Sequence, residues 1–272
     1  DKSWKAIRYD AFWAPEDENP KGPRQYRLAG ANVGYDARKA IDFWADDFDD
    51  SGWNNAVEVA AKDAEWGAYV ERPIPQWRWG ELVDYQSVIY KEDGVIECAL
   101  PYNAHVTPYI RLKAKGGELI TMCTDDYWIG VARSFHTQYI AREGEQEFET
   151  PIWTNGHTVL YTVPEGVEVL ELKYRESGYD SDFVGSFNSD NAFCNELWKK
   201  AQRTLYVTMR DNYMDCPDRE RAQWWGDVTI LMNESFYQLD PVANLLTRKA
   251  MRELVDWQRA DSTLFSPIPA QN

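Results

Sequence analysis

Residues 212–227 read NYMDCPDRERAQWWGD and concentrate the groups of this chain that could transfer a proton. Carboxylates alternate with arginines here, and Trp224 and Trp225 follow them. Burial beside tryptophan raises the pKa of a carboxyl group, whereas a neighbouring arginine lowers it. Glycoside hydrolysis uses such a difference, because one carboxylic acid protonates the leaving oxygen while a second carboxylate activates water or attacks the sugar. The segment therefore predicts acid–base chemistry of this kind.

Each carboxylate of the segment also has a structural interpretation. Asp215 lies two residues before a proline and could form an Asx turn. Asp227 precedes an amphipathic run and could cap a helix. Glu220 lies between two arginines and could form a solvated ion pair. The competing hypothesis is an ion-paired corner whose carboxylates point away from any cleft.

The spacing of these carboxylates limits how they can meet. Pro217 interrupts helical propagation, so we expect a turn at 215–217. In a continuous helix Glu220 and Asp227 would share one face, and Asp215 would lie on another side. A non-helical turn is therefore required to bring Asp215 close to Glu220.

Helical periodicity flanks the segment on both sides. A first helix is expected before it, with Ser189 or Asp190 as the N-cap. A second helix is expected after Asp227, and a third from Asp240, which a proline follows. Three helices bury little surface by themselves. We therefore expect the helical domain to be incomplete in this chain. The apolar residues that recur at every fourth position of the first helix are Phe193, Leu197, Ala201, Leu205 and Met209.

Residues before about 182 have the pattern of β structure. A hairpin is expected around 92–94, where the sequence is Glu-Asp-Gly. Further alternating runs surround turns at Gly116-Gly117 and at 164–166. Short alternating strands separated by glycine turns predict an antiparallel sandwich.

The composition excludes some classes of partner. The chain has 45 acidic and 29 basic residues and a formal net charge of -16, which repels the phosphate backbone of nucleic acids. No apolar run approaches the roughly 18 residues of a membrane span. Thirteen tryptophans stand out, and their rings serve either as core or as flat platforms for sugar rings.

The four cysteines and three histidines lack the spacing of a metal site. Cys98 and Cys123 lie in neighbouring strand-like runs and could form a disulfide or remain buried thiols. The acidic run from Asp46 to Asp50 could bind calcium, although such a run is more typical of a solvated turn. No organic cofactor is implied. The histidines that we expect to be surface or locally bonded residues are His105, His136 and His157.

DCPDRERAQWWGD at 215–227 resembles the signature of α-L-rhamnosidases of glycoside hydrolase family 78. VGYDARKAIDFWADDFDDSGW at 33–53 is similar to the family's carbohydrate-binding jelly roll, and TPYIRLKAKGGELITMCTDD at 107–126 resembles its next β-sandwich. VGSFNSDNAFCNELWKKAQRT at 184–204 resembles the junction between sandwich and helices. Residues 244–272 are similar to the third barrel helix and its loop.

The resemblance implies a multidomain fold. Two antiparallel β-sandwich or jelly-roll domains would precede the first helices of an (α/α)6 barrel. The implied domains are a carbohydrate-binding-type jelly roll at 1–86, a β-sandwich at 87–182 and the start of the catalytic barrel at 183–272.

The resemblance also implies roles for the residues of the segment. Glu220 would be the general acid, and the tryptophans would form an apolar wall for the methyl group of a 6-deoxy sugar. The residues that would bind the terminal rhamnose are Asp215, Arg219, Asp227, Trp224 and Trp225.

Family 78 inverts the anomeric centre, so a general base is expected about 6.5 to 9.5 Å from the acid. The family's base is a glutamate late in the barrel, so we place it in no residue of this chain and expect these 272 residues to be inactive alone. The core Arg219-Glu220-Arg221 is one residue shorter than the family's commoner Arg-Asp-Glu-Arg form, which leaves the alignment of Asp218 open.

The implied function is removal of terminal α-L-rhamnose from oligosaccharides, polysaccharides or glycosides, outside the cytoplasm. Two alternatives stay open. One is a six-hairpin glycosidase of other sugar specificity, and the other is a sugar-binding protein without catalysis.

Overall fold

The computed structural model describes residues 2–15, 32–59, 69–126 and 135–269, with the backbone of 128–129 and 132–133. Parts of the implied first domain, and residues 270–272 of the implied barrel segment, lie outside these ranges. The described chain is mostly β-sheet and ends in three α-helices. In chain order the strands are β1 (Lys5–Ala6), β2 (Phe12–Trp13), β3 (Val33–Asp36), β4 (Asn54–Asn55), β5 (Arg78–Asp84), β6 (Ser87–Tyr90), β7 (Val95–Ala114), β8 (Leu119–Thr124), β9 (Trp128–Ile129), β10 (Ala132–Arg133), β11 (Thr137–Ile140), β12 (Gly144–Glu149), β13 (Thr154–Thr162), β14 (Glu168–Gly178), β15 (Gln223–Trp224) and β16 (Pro267–Ile268).

The main sheet contains ten strands and is organised around the 20-residue strand β7. The first part of β7 pairs with β6 on one side and β13 on the other, and its last part pairs with β12 and β14. The remaining order is β2-β3-β11-β8-β13 on one flank and β14-β5 on the other. All pairs are antiparallel except β3 with β11, which are parallel.

Apolar side chains of β7 alternate with more exposed ones and form the centre of the sheet's core. Ile96, Cys98 and Leu100 are buried at alternate positions, as a pleated strand with one buried face requires. Ile110 and Leu112 are fully buried in the same cluster.

The expected hairpin around 92–94 is confirmed, since β6 and β7 pair in register. Gly94 has a φ of 78°, and a Cβ there would lie 2.7 Å from the Val163 carbonyl oxygen, so only glycine fits this turn. Gly116 and Gly117 also turn the chain with positive φ. The turn expected there is present, but β7 and β8 do not pair across it, because β12 and β14 occupy both edges of β7 and β8 pairs with β11 and β13.

The sheet runs across the boundary that the sequence places near residue 86. Strands β2, β3 and β5 precede this residue and are hydrogen-bonded into the same sheet as the later strands.

The three helices are α1 (Ala192–Val207), α2 (Trp225–Gln238) and α3 (Ala243–Asp256). The N-cap expected for α1 is wrong by one residue, since the Asn191 side chain accepts from the Phe193 N–H. Helix α3 begins at Ala243, three residues after Asp240 where we expect it to start, although the Asp240 carboxylate accepts from the Val242 N–H at 3.0 Å in the preceding turn.

Helix α1 docks on the sheet through its C-terminal half. Leu205 and Met209 are buried as expected, but Phe193 and Leu197 are 71% and 53% exposed, so that part of the predicted stripe is wrong. The docking contacts explain the difference, because they lie near the end of the helix. Arg203 donates to the Asn103 carbonyl oxygen at 2.6 Å and to Glu176 at 2.7 Å.

A second core joins the helices. Leu205 of α1, Val228 of α2 and Leu246 of α3 are fully buried in it. Tyr213 lies between the helices, and its hydroxyl group bonds the Thr247 hydroxyl at 3.0 Å. This core fixes the two ends of the segment between α1 and α2.

The structure shows the bonding state of the cysteines and the exposure of the histidines. All four cysteines are free, and Cys98 and Cys123 are buried thiols. His157 is exposed, but His105 and His136 are buried, which corrects the surface interpretation for both. None of the described helices is long and apolar enough to cross a membrane.

Candidate active site

The segment between α1 and α2 is a non-helical loop closed at its neck. The Asp215 N–H donates to the Ala222 carbonyl oxygen at 3.0 Å, and the Ala222 N–H donates to Asp215 Oδ1 at 3.2 Å. Arg221 completes the reversal with a φ of 54°, a left-handed conformation that is uncommon outside glycine. The expected turn is therefore present, and Asp215 bonds a residue across the loop instead of forming an Asx turn.

Glu220 lies inside this loop and is 4% exposed. Its Oε1 accepts from the Arg219 guanidinium, and its Oε2 accepts from Cys216 Sγ at 3.3 Å. One possible ligand atom each of Asp215, Cys216 and Glu220 lies within 4.8 Å of the others. The loop therefore brings the two carboxyl groups together, as the candidate chemistry requires.

The two carboxyl groups have opposite pKa shifts. Burial and the hydrogen bond with Glu220 raise the pKa of Asp215 to about 6. Burial also disfavours the Glu220 carboxylate, but hydrogen bonds from Arg219, Asp215 and Cys216 outweigh this effect and lower its pKa. These two directions favour the proton on Asp215, whereas the family resemblance assigns the acid to Glu220.

Cys216 is a partner of Glu220 that sequence reasoning missed. Burial raises the pKa of its thiol to about 12, so the sulfur keeps its proton and acts as a donor. Cys216 and Glu220 are four residues apart in the sequence. A thiol is only a weak hydrogen-bond donor, so this spacing did not predict the contact.

Arg219 and Asp227 lie closer to solvent than the carboxyl pair. The Arg219 side chain is 67% exposed and forms an ion pair with Glu220. The ion pair expected for Glu220 is therefore present, but the carboxylate is buried and not solvated. Asp227 is exposed and lies in the first turn of α2, which begins at Trp225. The N-cap interpretation of Asp227 is therefore wrong. Its carboxylate has no hydrogen-bond or ion-pair partner among the described residues.

The two tryptophans occupy different environments, although both are half-buried. Trp224 lies in β15, which pairs with β16 at Pro267. Trp225 starts α2, packs against the helical core and donates its backbone N–H to the Ser266 carbonyl oxygen at 2.9 Å. Residues 266–267 therefore bond or pair with the backbone of both tryptophans.

Asp215, Cys216 and Glu220 form the one group of three metal-ligand side chains found in the described ranges. Arg219 already supplies a positive charge beside Glu220, which disfavours a metal cation at this group. At the acidic run 46–50 the Asp49 carboxylate accepts from the Ser51 N–H at 2.9 Å, which is the geometry of a local turn.

Comparison with known proteins gives this loop a family context. Residues 182–272 match the model of the bacterial alpha-L-rhamnosidase 6 hairpin glycosidase domain. The expected resemblance to α-L-rhamnosidases is confirmed. A curated alpha-L-rhamnosidase of Formosa agariphila is 25% identical over 231 residues, which are 76% of this chain and 23% of the relative.

Solved α-L-rhamnosidases share the fold. The Streptomyces avermitilis enzyme, complexed with L-rhamnose, aligns with a TM-score of 0.73 and 20% identity over 92% of this chain and 25% of that chain. The enzyme titled Dictyoglumus thermophilum aligns with a TM-score of 0.69 and 22% identity over 90% and 29% of the two chains. The chain thus spans only a minor part of the relatives that it matches.

Proposed function

We propose that this chain is part of an inverting α-L-rhamnosidase that removes terminal α-L-rhamnose from glycans or glycosides. The observation that carries the proposal is the pairing of half-buried Asp215 with buried Glu220, whose pKa values are shifted in opposite directions, in a loop within the matched rhamnosidase domain. Glycosidic bond cleavage needs a proton donor of this kind at the leaving oxygen.

In the proposed mechanism Glu220 donates the proton to the leaving oxygen as general acid. Asp215 shares a hydrogen bond with Glu220 and supplies the proton that the pair retains below about pH 6. Two carboxyl groups this close resist ionising together, which keeps one of them protonated. Arg219 stabilises the negative charge on Glu220 after the transfer.

The sugar would bind beside this pair. Asp227 has no partner among the described residues, which leaves its carboxylate able to accept hydrogen bonds from rhamnose hydroxyl groups. Asp215 and Arg219 would contact the same sugar, and Trp224 or Trp225 would form an apolar wall for its C6 methyl group. Inversion requires a second carboxylate about 6.5 to 9.5 Å from the acid, with room for water between them. We assign this base to no described residue.

The proposed architecture is a jelly roll at 1–86, a sandwich at 87–182 and the beginning of an (α/α)6 barrel at 183–272. The matched range 182–272 supports the last division. The substrate class favours a location outside the cytoplasm.

The experiment that tests the proposal is hydrolysis of an aryl α-L-rhamnoside by the full-length protein, followed by NMR. Initial release of β-rhamnose supports inversion, whereas initial release of the α anomer contradicts it. A matched series of aryl glycosides separates the alternatives: preferred cleavage of another sugar indicates a different specificity. Binding of rhamnose without turnover of any glycoside indicates a non-catalytic sugar-binding protein.

A further inference from the structure

A cavity of about 470 Å³ lies beside the candidate active-site loop, where the sheet meets the end of α1. Met214 and Arg221 of the loop line it, but Asp215, Glu220 and Asp227 do not. Its volume is in the range of small-molecule sites, which is about 300 to 1,000 Å³. The cavity therefore has room for a ligand that does not displace the carboxyl pair.

Three tryptophans give the cavity its flat walls, namely Trp77, Trp79 and Trp153. Trp77 is 37% and Trp79 is 53% exposed, which leaves large aromatic surfaces in contact with solvent. Rigid flat rings suit the C–H faces of sugar rings and lose little conformational entropy on contact. The walls therefore favour a carbohydrate ligand.

A buried cation forms one side of this cavity. Arg210 is 2% exposed, and its guanidinium carbon lies 3.9 Å from the Trp77 ring centroid and 4.7 Å from that of Trp153. Its Nη2 donates to Ser177 Oγ at 2.9 Å, and its Nη1 lies 3.4 Å from His105 Nδ1. The Nε of Arg210 has no hydrogen-bond partner among the described residues. A guanidinium has five N–H donors, so this group retains capacity for an acceptor.

Among the described residues, no carboxylate is hydrogen-bonded to Arg210. The neighbouring carboxylate, Asp211, forms its ion pair with Arg72. Arg221, which lies 3.5 Å above the Trp153 ring, adds a second guanidinium to the same lining. Burial lowers the pKa of Arg210 to about 10; the nearby Asp211 charge opposes this shift and Arg221 adds to it. An anionic ligand would compensate the charge of Arg210, which the fold buries at some cost.

We propose that this cavity binds a carboxylate-bearing sugar, a uronate unit of the glycan, with Trp77 and Trp79 against its ring and Arg210 and Arg221 facing its carboxylate. A planar guanidinium matches a planar carboxylate through paired hydrogen bonds. The inference deepens the proposed function and rests on it for the choice of a sugar as ligand.

The test is isothermal titration calorimetry of the full-length protein with trigalacturonate and with its methyl ester, at low salt. The ester removes the negative charges and adds one methyl group to each carboxyl group. Tighter binding of trigalacturonate by roughly tenfold or more, weakened by added salt, is the expected result. Equal affinity for the ester, or preference for galactose 6-sulfate over galacturonate, would overturn the carboxylate assignment.

Variants locate the site. Trp79→Ala removes an exposed ring and should weaken trigalacturonate binding roughly tenfold, whereas Trp44→Ala, which removes another exposed tryptophan outside the cavity lining, should leave it unchanged. Arg210→Met should abolish the preference for the acid over the ester, with circular dichroism as the check on folding. If Arg210→Met does not fold, the comparison of Trp79→Ala with Trp44→Ala still decides the location. Equal losses in those two variants contradict the proposal.

Aryl rhamnoside hydrolysis is measured on the same preparation. Uronate binding without hydrolysis supports this site and contradicts the proposed function. Hydrolysis without uronate binding contradicts this site alone.

Discussion

Asp215 and Ala222 are joined by two hydrogen bonds, and this pair closes the loop that holds Glu220. The Asp215 carboxyl group therefore has two tasks, since one oxygen accepts from the Ala222 N–H while the group also bonds Glu220. One side chain therefore both closes the loop and carries a proton next to Glu220.

Replacing Glu220 with glutamine should remove the general acid and preserve the shape of the side chain. We expect kcat/KM of the full-length protein on an alkyl α-L-rhamnoside to fall by about 100-fold to 10,000-fold. Glu92→Gln, at an exposed turn, is the matched control and should retain full activity. Equal activity of Glu220→Gln and the unchanged protein would exclude Glu220 as the acid.

The pH dependence of activity should report the proton of the carboxyl pair. Because the pKa of Asp215 is about 6, the pair loses its last proton above that pH, and kcat/KM should decline by about tenfold per pH unit. Asp215→Asn should remove this decline in kcat/KM or shift it to another pH. A decline of kcat/KM at the same pH in the variant would show that the titration of another group causes it.

Stability should depend on the same proton. The folded pKa of Asp215 is raised above its ordinary 3.8, so between about pH 4 and 6 the folded state binds a proton that the unfolded state has released. The free energy of unfolding should therefore fall as the pH rises through this range, and Asp215→Asn should lose that contribution. Thermal melting of both proteins at a series of pH values measures the difference, and parallel curves would contradict the assignment.

Cys216 should tune Glu220 through its hydrogen bond. Cys216→Ala removes one of the three donors that lower the pKa of Glu220, so that pKa should rise. Cys216→Ser keeps a donor and should restore the profile of the unchanged protein. The kcat/KM–pH profiles of both variants are the measurement, and identical profiles for alanine and serine would assign Cys216 to packing alone.

The helical core should tolerate substitution at one face of α3 and not at the other. Leu246 is fully buried, so Leu246→Ala should lower the free energy of unfolding by about 2 to 5 kcal/mol. Met251 is 56% exposed on the same helix, and Met251→Ala should change it by less than about 0.5 kcal/mol. Urea denaturation tests both, and comparable losses would show that Met251 is covered in solution.

Local signals predicted local structure well. Gly94 marked its hairpin because a positive φ at a two-strand turn is a property of a few residues. Asp240 followed by proline marked the turn that precedes α3 in the same way. The motif at 215–227 was sufficient for the resemblance to rhamnosidases, which the matched domain confirms.

Long-range relationships were not predictable from the same signals. Alternation shows that β8 is a strand, but only the occupied edges of β7 explain why β8 pairs with β11 and β13. The location of the proton likewise depends on burial and on three hydrogen bonds to Glu220, which no spacing rule contains. Asp227 was misplaced because α2 begins three residues earlier than its amphipathic pattern suggests.

The long strand β7 also sets the order in which this protein can fold. Its partners β12, β13 and β14 all follow it in the sequence, so during synthesis β7 must wait for residue 178 to emerge before its edges are filled. Such non-local pairing slows folding, whereas the helices after residue 192 form through local contacts. The candidate active-site loop follows α1, which docks on that sheet, so the final position of the loop depends on completion of the sheet.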